Sequence, residues 1–251
     1  MRSGTSASRV APALLIVVFG ILLLAPALVL LVYGIHDWGL IPPGTLRPLG
    51  ITSIGASALA LLITAAFGLP LAWYLSTLPR RLRFLAEGLL AVPLLLPPLV
   101  VGLTLAFLLG PESLTHLAWT NTFWGLVTAE VYEAAPYFVF VAWAGFGGVP
   151  LLYREVARSL GWRPWRVFSR VVLPLASPNL AVGAAMAWSR AIGAFGAPLV
   201  VSYHPQGLPV GLWVVLEEFG LPQALPLALL LVIVALPLPI GALVWSRHAA
   251  R

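Results

Sequence analysis

Apolar residues run in six blocks, about 10–34, 51–76, 86–110, 122–148, 179–202 and 224–246, and the stretches between them hold most of the charge. Each block approaches the ~20 residues a helix needs to cross the hydrocarbon layer at ~1.5 Å per residue. The alternation that marks barrel strands is absent, and an open strand in lipid leaves its backbone groups unpaired. The pattern therefore predicts an all-α, polytopic membrane helix bundle. It has six transmembrane helices and forms one transmembrane domain over 1–251. The first block exceeds the ~7–15-residue core of a signal peptide and reads as a retained span.

Composition sharpens this picture. Hydrophobic residues make up 61% of the chain and charged ones 9%, with a mean hydropathy of +1.00. That excludes an ordinary soluble domain, where about 25% of residues are charged. The 14 basic residues are all Arg. Twelve of them (Arg2, Arg9, Arg80, Arg81, Arg83, Arg154, Arg158, Arg163, Arg166, Arg170, Arg247 and Arg251) fall on one side of a six-span topology. The opposite loops hold only Arg47, and Arg190 lies within a span. The positive-inside rule then gives a multi-pass protein of the cell (inner) membrane with both termini cytoplasmic. The net charge of +6 is a topology signal. The arginines are divided among short loops, so no nucleic-acid partner is expected, and the lipid bilayer is the surrounding phase.

The missing residue types also exclude chemistry. Cysteine is absent, so there is no disulfide framework and no thiolate metal site. His36, His116, His204 and His248 lie far apart without helical pairing, and the only Asp is Asp37. No catalytic residue and no metal site is expected. A P-loop needs a Lys at the terminal phosphates, which this chain lacks. It is therefore expected to bind no cofactor, and any ATP and Mg that drive it must sit on another polypeptide.

The insert at 151–174 predicts a cytoplasmic helical hairpin. Leu152, Val156 and Leu160 recur at four-residue spacing, with Arg154 and Arg158 as a parallel basic row. Gly161 stands where a helix end favours a left-handed residue. Pro164 suits the first turn of a second helix. Trp165, Phe168 and Val172 are placed to line an apolar face on it, and Pro174 to stop it ahead of the fifth block. Such a hairpin suits docking into a partner's groove, or lying on anionic headgroups.

The spacing within the insert carries more. Glu155, Val156, Ala157, Gly161, Val171, Leu173 and Pro174 resemble the cytoplasmic signature of ABC importer permeases, with Val156 replacing Ala and Val171 replacing Ile. Leu94-Leu95-Leu96-Pro97-Pro98-Leu99-Val100-Val101-Gly102 resembles the third span of molybdate and tungstate permeases. Ser189-Arg190-Ala191-Ile192-Gly193-Ala194-Phe195-Gly196-Ala197 resembles their Arg-Ala-x-Gly-Glu-Phe-Gly-Ala segment, with Ala194 in place of Glu. Tyr203-His204-Pro205 is similar to a loop of archaeal-type members.

This resemblance implies the permease subunit of an ATP-driven importer, not an enzyme. It would pair with a second copy of itself, two ATPase subunits that bind ATP and Mg, and an extracytoplasmic substrate-binding protein. It implies ATPase coupling through Glu155, Ala157, Arg158, Gly161, Trp165, Arg166, Leu173 and Pro174. The expected cargo is an oxyanion, molybdate or tungstate. Ala194 followed by Phe-Gly-Ala-Pro is also similar to polyamine and iron permeases, and sulfate is a further alternative. A stand-alone secondary transporter is the competing class, with Glu130, Glu133 and Arg190 as an ion relay. It would leave the hairpin unexplained, and no inverted repeat is evident.

Pro97, Pro98, Glu133, Arg190, Gly193 and Gly196 are the candidate translocation path or gate. Pro93, Pro97 and Pro98 each remove a helical hydrogen bond and permit a kink, so this span can wall a pore, although Pro is also frequent in membrane helices. Arg190 and Glu133 lie at similar depth, which leaves open a structural pair or a cation that favours an anion in the pathway. Ala181, Ala185, Ser189, Gly193 and Ala197 form a small-residue ridge if the fifth span is one helix; it serves either a dimer axis or packing within the subunit. In the outer loop at 203–223, Val210–Phe219 is predicted to form a short helix with Glu217 and Glu218 outward.

Overall fold

The computed structural model describes residues 7–113 and 115–249. Arg2 and Arg251, and the side chains of Arg9 and Arg80, lie outside the described part. Every described element is helical. In chain order these are α1 (Ala7–His36), a 3-10 turn (Trp38–Leu40), α2 (Leu46–Thr77), α3 (Arg80–Leu95), α4 (Pro98–Leu109), α5 (Phe123–Gly147) and α6 (Leu151–Ser159). There follow α7 (Pro164–Val167), a π turn (Phe168–Val172), α8 (Leu173–Ile192), α9 (Gly196–Val201), α10 (Leu208–Phe219), α11 (Leu221–Ala235) and α12 (Pro237–Ala249).

Four helical runs are long and apolar enough to cross a membrane: Leu15–His36, Leu46–Thr77, Pro164–Ile192 and Leu221–His248. Two bent pairs bring the number to six if each is one span. One is α3 with α4, bent by 98°; the other is α5 with α6, bent by 64°. The six apolar blocks of the sequence thus each contain a spanning candidate.

The third block is not a straight helix. Pro97 disfavours helical backbone at Leu96, and Pro98 does the same to Pro97. Leu96 (φ −76, ψ 128) and Pro97 (φ −58, ψ 136) are extended, and Pro98 opens α4 at the first-turn position where its missing N–H costs nothing. Pro93, by contrast, stays inside α3.

The fifth block also departs from one continuous helix. α8 ends at Ile192, and the chain re-enters a helix at Gly196. Pro198 accounts for the break, because its ring excludes a helical carbonyl four residues earlier, at Ala194. The small-residue ridge therefore stops at Gly193 and does not run on to Ala197. Arg190 moves from the expected middle of a span to the last turn of α8, where the partial negative charge of the helix C-terminus favours a cation.

Pro174 does not stop the second limb of the hairpin. Pro164 to Ile192 runs on as one 29-residue helical stretch. A π turn lies just before Pro174, in which the Leu173 N–H bonds the Phe168 carbonyl five residues back.

The described residues group into two compact units. One holds the described residues up to Leu46 together with Leu212–Leu230. Within it α1 meets α11 where Gly34 lies against Leu225 and Leu229. Most of the other α1 side chains from Leu15 to Ile35 are exposed and apolar, as suits a helix facing acyl chains. The other unit holds Arg47–Gly211 with the end of the chain from Leu231. There α5 packs along α8, α4 along α9, and α12 along α8. Its core is rich in alanine (Ala56, Ala60, Ala134, Ala142, Ala187, Ala191) around Phe138, Trp143 and Phe146. In lipid there is little water to expel, so close approach of backbones over small residues supplies the packing energy.

Two fasteners hold the loop ends of this unit. Thr122 caps α5, its Oγ1 accepting from the Gly125 N–H at 3.2 Å. The Asn121 N–H donates to the Val201 carbonyl at 2.8 Å, the Ser202 hydroxyl to the Thr122 carbonyl at 2.9 Å, and the Tyr203 N–H to Asn121 Oδ1 at 3.1 Å. These bonds tie the start of α5 to the end of α9.

Candidate functional site

The two helix breaks face one another. A groove of about 330 Å³ lies between them, lined by Pro97, Pro98, Leu99, Glu133, Arg190, Gly193, Phe195 and Gly196. All six residues assigned to the path from the sequence stand on its wall. Leu99 and Phe195 were not assigned, although both belong to the sequence segments that drew attention to the region. Gly196 is needed for the approach of the two segments. A Cβ on it would lie 2.7 Å from the Pro98 Cβ, closer than two carbons can sit.

Arg190 and Glu133 form an ion pair at 2.8 Å between Nη2 and Oε2. The Glu133 side chain is 4% exposed and that of Arg190 is 37% exposed. Arg190 Nε lacks a hydrogen-bond partner among the described residues, and the Ala197 backbone also bonds the Glu133 carboxylate. Arg190 also borders two further spaces. One, of about 70 Å³, adjoins Pro93, Leu96 and Tyr137; the other, of about 480 Å³, adjoins Tyr137, Met186, Ser189 and Leu243. Tyr137 is a lining residue that the sequence reading missed. Its signal was present, one helical turn after Glu133 on the same face.

Glu130 lies one turn before Glu133. It is buried beside Ser57 and borders none of these three spaces. It lies outside the groove that Glu133 and Arg190 line.

The hairpin forms the second site. α6 ends in a turn that closes two backbone bonds, from the Gly161 N–H to the Arg158 carbonyl at 2.9 Å and from the Trp162 N–H to the Ala157 carbonyl at 3.2 Å. This is the Schellman arrangement, which needs a left-handed residue after the helix. Gly161 supplies it at φ +78. Leu152, Val156 and Leu160 share one face of α6, and that face is exposed, with Leu152 at 64%. Glu155, Arg158 and Arg166 are exposed as well, Ala157 is buried, Leu173 is half-buried and Pro174 exposed.

Two expectations for the hairpin are corrected. The basic row is divided: Arg158 points outward while Arg154 is buried. The Arg154 guanidinium donates to the Phe146 carbonyl at the end of α5 and lies 5.0 Å from the centre of the Trp73 ring. Burial pushes its pKa down, and Arg158 pushes it the same way. The second limb is divided too. Phe168 and Val172 are in the core, whereas Trp165 is 74% exposed. Trp165 sits at the tip of the limb, where it walls a cleft of about 440 Å³ with Trp73, Arg154 and Arg158. The rings of Trp73, Phe146 and Phe168 meet at 5.1–5.9 Å, so the hairpin is fixed to α2 and α5 by an aromatic cluster plus one buried cation.

Residues 66–249 match the family model described as "Binding-protein-dependent transport system inner membrane component". A probable molybdenum ABC transporter permease protein of Haloferax volcanii is 41% identical over 73% of this chain and 69% of its own. A molybdate/tungstate transport system permease protein of Thermococcus kodakarensis is 32% identical over 80% of this chain and 77% of its own. Among solved structures, a bacterial alginate ABC transporter in complex with a periplasmic protein gives a TM-score of 0.69 at 15% identity, over 96% of this chain and 93% of that one. At that identity the likeness speaks for the fold. The family match, covering most of the chain, makes this protein a member of the binding-protein-dependent transport system inner membrane components.

Proposed function

We propose that this chain is the permease of an ATP-driven oxyanion importer, with molybdate or tungstate as cargo. The observation that carries the reading is Arg190. It stands in the last turn of α8 on the wall of the groove between the two helix breaks, and it is the one basic residue lining that groove. A charge in the bilayer interior is costly and tends to face protein or water, and a guanidinium offers a fork of donors to an oxyanion. The two relatives are named for molybdenum and for molybdate/tungstate transport, cargo of the same chemical class.

The remaining parts follow from this reading. Two copies enclose the path between them, each contributing Pro97, Pro98, Glu133, Arg190, Gly193 and Gly196. An external binding protein delivers the anion. Both termini and the hairpin are cytoplasmic, and two ATPase subunits holding ATP and Mg dock there. Leu152, Val156 and Leu160 form the apolar anchor for a groove on the ATPase, with Glu155, Arg158 and Arg166 at its rim. Trp165 adds to this exposed face. Ala157 and Gly161 shape the turn, and Leu173 and Pro174 pass its movement into α8. That helix carries Arg190 in its last turn, so a pull on the hairpin acts along one rod on the groove.

The test is ligand-dependent ATP hydrolysis by the assembled complex. Binding protein loaded with molybdate or tungstate is expected to stimulate hydrolysis several-fold over empty binding protein. Stimulation by a polyamine or ferric iron and not by an oxyanion would overturn the substrate assignment.

A further inference from the structure

We infer that Glu133 is a built-in stand-in for the transported anion. It holds the Arg190 guanidinium while the path is empty, yields it when an oxyanion arrives, and then reclaims it so that the anion moves on. The inference rests on the oxyanion reading above and assigns a role to the ion pair within it.

Three observations lead there. First, the pair is built unlike a structural one. A buried ion pair that serves only the fold is expected to have its remaining lone pairs and N–H groups satisfied. Here Arg190 Nε has no hydrogen-bond partner among the described residues, so the cation keeps a donor free beyond its 2.8 Å contact with Glu133. Second, the two partners are unequally placed. Glu133 is nearly enclosed at 4% exposure, whereas Arg190 keeps 37% and borders three spaces. An incoming ligand can therefore reach the cation without first removing the carboxylate. Third, Glu133 is the only carboxylate among the residues lining those three spaces.

Competition explains why a transporter would keep such a pair. A cation in a low-dielectric groove holds a divalent oxyanion tightly, and a site that binds too well stalls conduction. A carboxylate within reach of the same guanidinium weakens anion binding by displacement and by like-charge repulsion. The site then becomes a short stop and not a trap.

The experiment measures binding of radiolabelled tungstate to the assembled transporter in nanodiscs, without ATP and without binding protein. Wild type is expected to bind weakly. Glu133→Gln is expected to bind at least ten-fold more tightly, to lose that gain when combined with Arg190→Gln, and to transport more slowly with binding protein and ATP present. Glu133→Gln binding no more tightly than wild type, while wild type imports the oxyanion, overturns the stand-in role and leaves the proposed function intact. A wild type that imports no oxyanion overturns both.

Should Glu133→Gln fail to assemble, Leu99→Cys tests the site with Glu133 in place, since the chain has no other cysteine. Leu99 lines the groove. An anionic sulfonate thiol reagent is expected to label it faster than a cationic analogue, with tungstate slowing the reaction only at high concentration. Faster cationic labelling, or tight protection by dilute tungstate, would contradict a weak anion stop at Arg190.

Discussion

Arg190 and Glu133 have to be tested together, because each is the other's nearest opposite charge. Removing one partner of a fully buried pair costs ~3–5 kcal/mol, and less is expected here because Arg190 is 37% exposed. Arg190→Gln should lower assembly and transport. The Arg190→Gln/Glu133→Gln double variant should recover assembly but still transport at least ten-fold more slowly than wild type. Full recovery of transport would make the pair structural only. Arg154 is expected to behave differently. Its substitution by Met removes a charge-assisted hydrogen bond to the Phe146 carbonyl and the contact with Trp73, together worth ~2–4 kcal/mol. The result should be weaker association with the ATPase and unchanged tungstate binding at the groove, both readable in one preparation. Depth arithmetic along two apolar blocks was enough to bring Arg190 to Glu133 from the sequence. Arg154 was not legible in that way. One face of α6 holds two arginines four residues apart, and only the position of Trp73, 81 residues before Arg154, decides which of them is buried.

The helical elements show where proline decides and where it does not. Pro70, Pro136, Pro178 and Pro226 sit inside helices without ending them, whereas Pro97, Pro98 and Pro198 coincide with the two breaks that form the groove. The adjacent pair at 97–98 excludes helix at two successive residues, and that much is readable from sequence. The continuation of the helix through Pro174 was not, because a proline alone does not decide where a membrane helix ends, as Pro70, Pro136, Pro178 and Pro226 show. The groove and the hairpin can be tested separately. Pro97→Ala with Pro98→Ala should allow Leu96 and its successors to become helical, lengthening the distance between spin labels on α3 and α4 and slowing transport. An unchanged distance would mean that packing, and not proline, sets the 98° bend. Gly161→Val places a β-branched residue at φ +78, a conformation such residues strongly resist. The turn should open, and the complex should lose its ATPase or its ligand-stimulated hydrolysis. Normal assembly with normal coupling in this variant would exclude the hairpin as the docking element.

The proposed passage of force from hairpin to groove requires the two to lie on defined sides of the membrane. Reporters fused after Arg83 should be cytoplasmic and those near Thr45 or Gln206 external; a cytoplasmic Gln206 would require a different number of crossings. The all-helical membrane bundle and the family were legible because lipid imposes a long, uniform signal on sequence and because the hairpin spacing is specific. The groove was legible only as a set of separate residues. Its shape comes from two breaks packed face to face, with Gly196 against Pro98, and that long-range contact leaves no local trace. The most direct measurement is uptake of radiolabelled molybdate into proteoliposomes containing this chain, its ATPase and its binding protein. Uptake is expected to require ATP and binding protein together, to be blocked by excess tungstate, and to fall at least ten-fold with Arg190→Gln/Glu133→Gln. Uptake by this chain alone on an ion gradient, without ATP, would contradict the account.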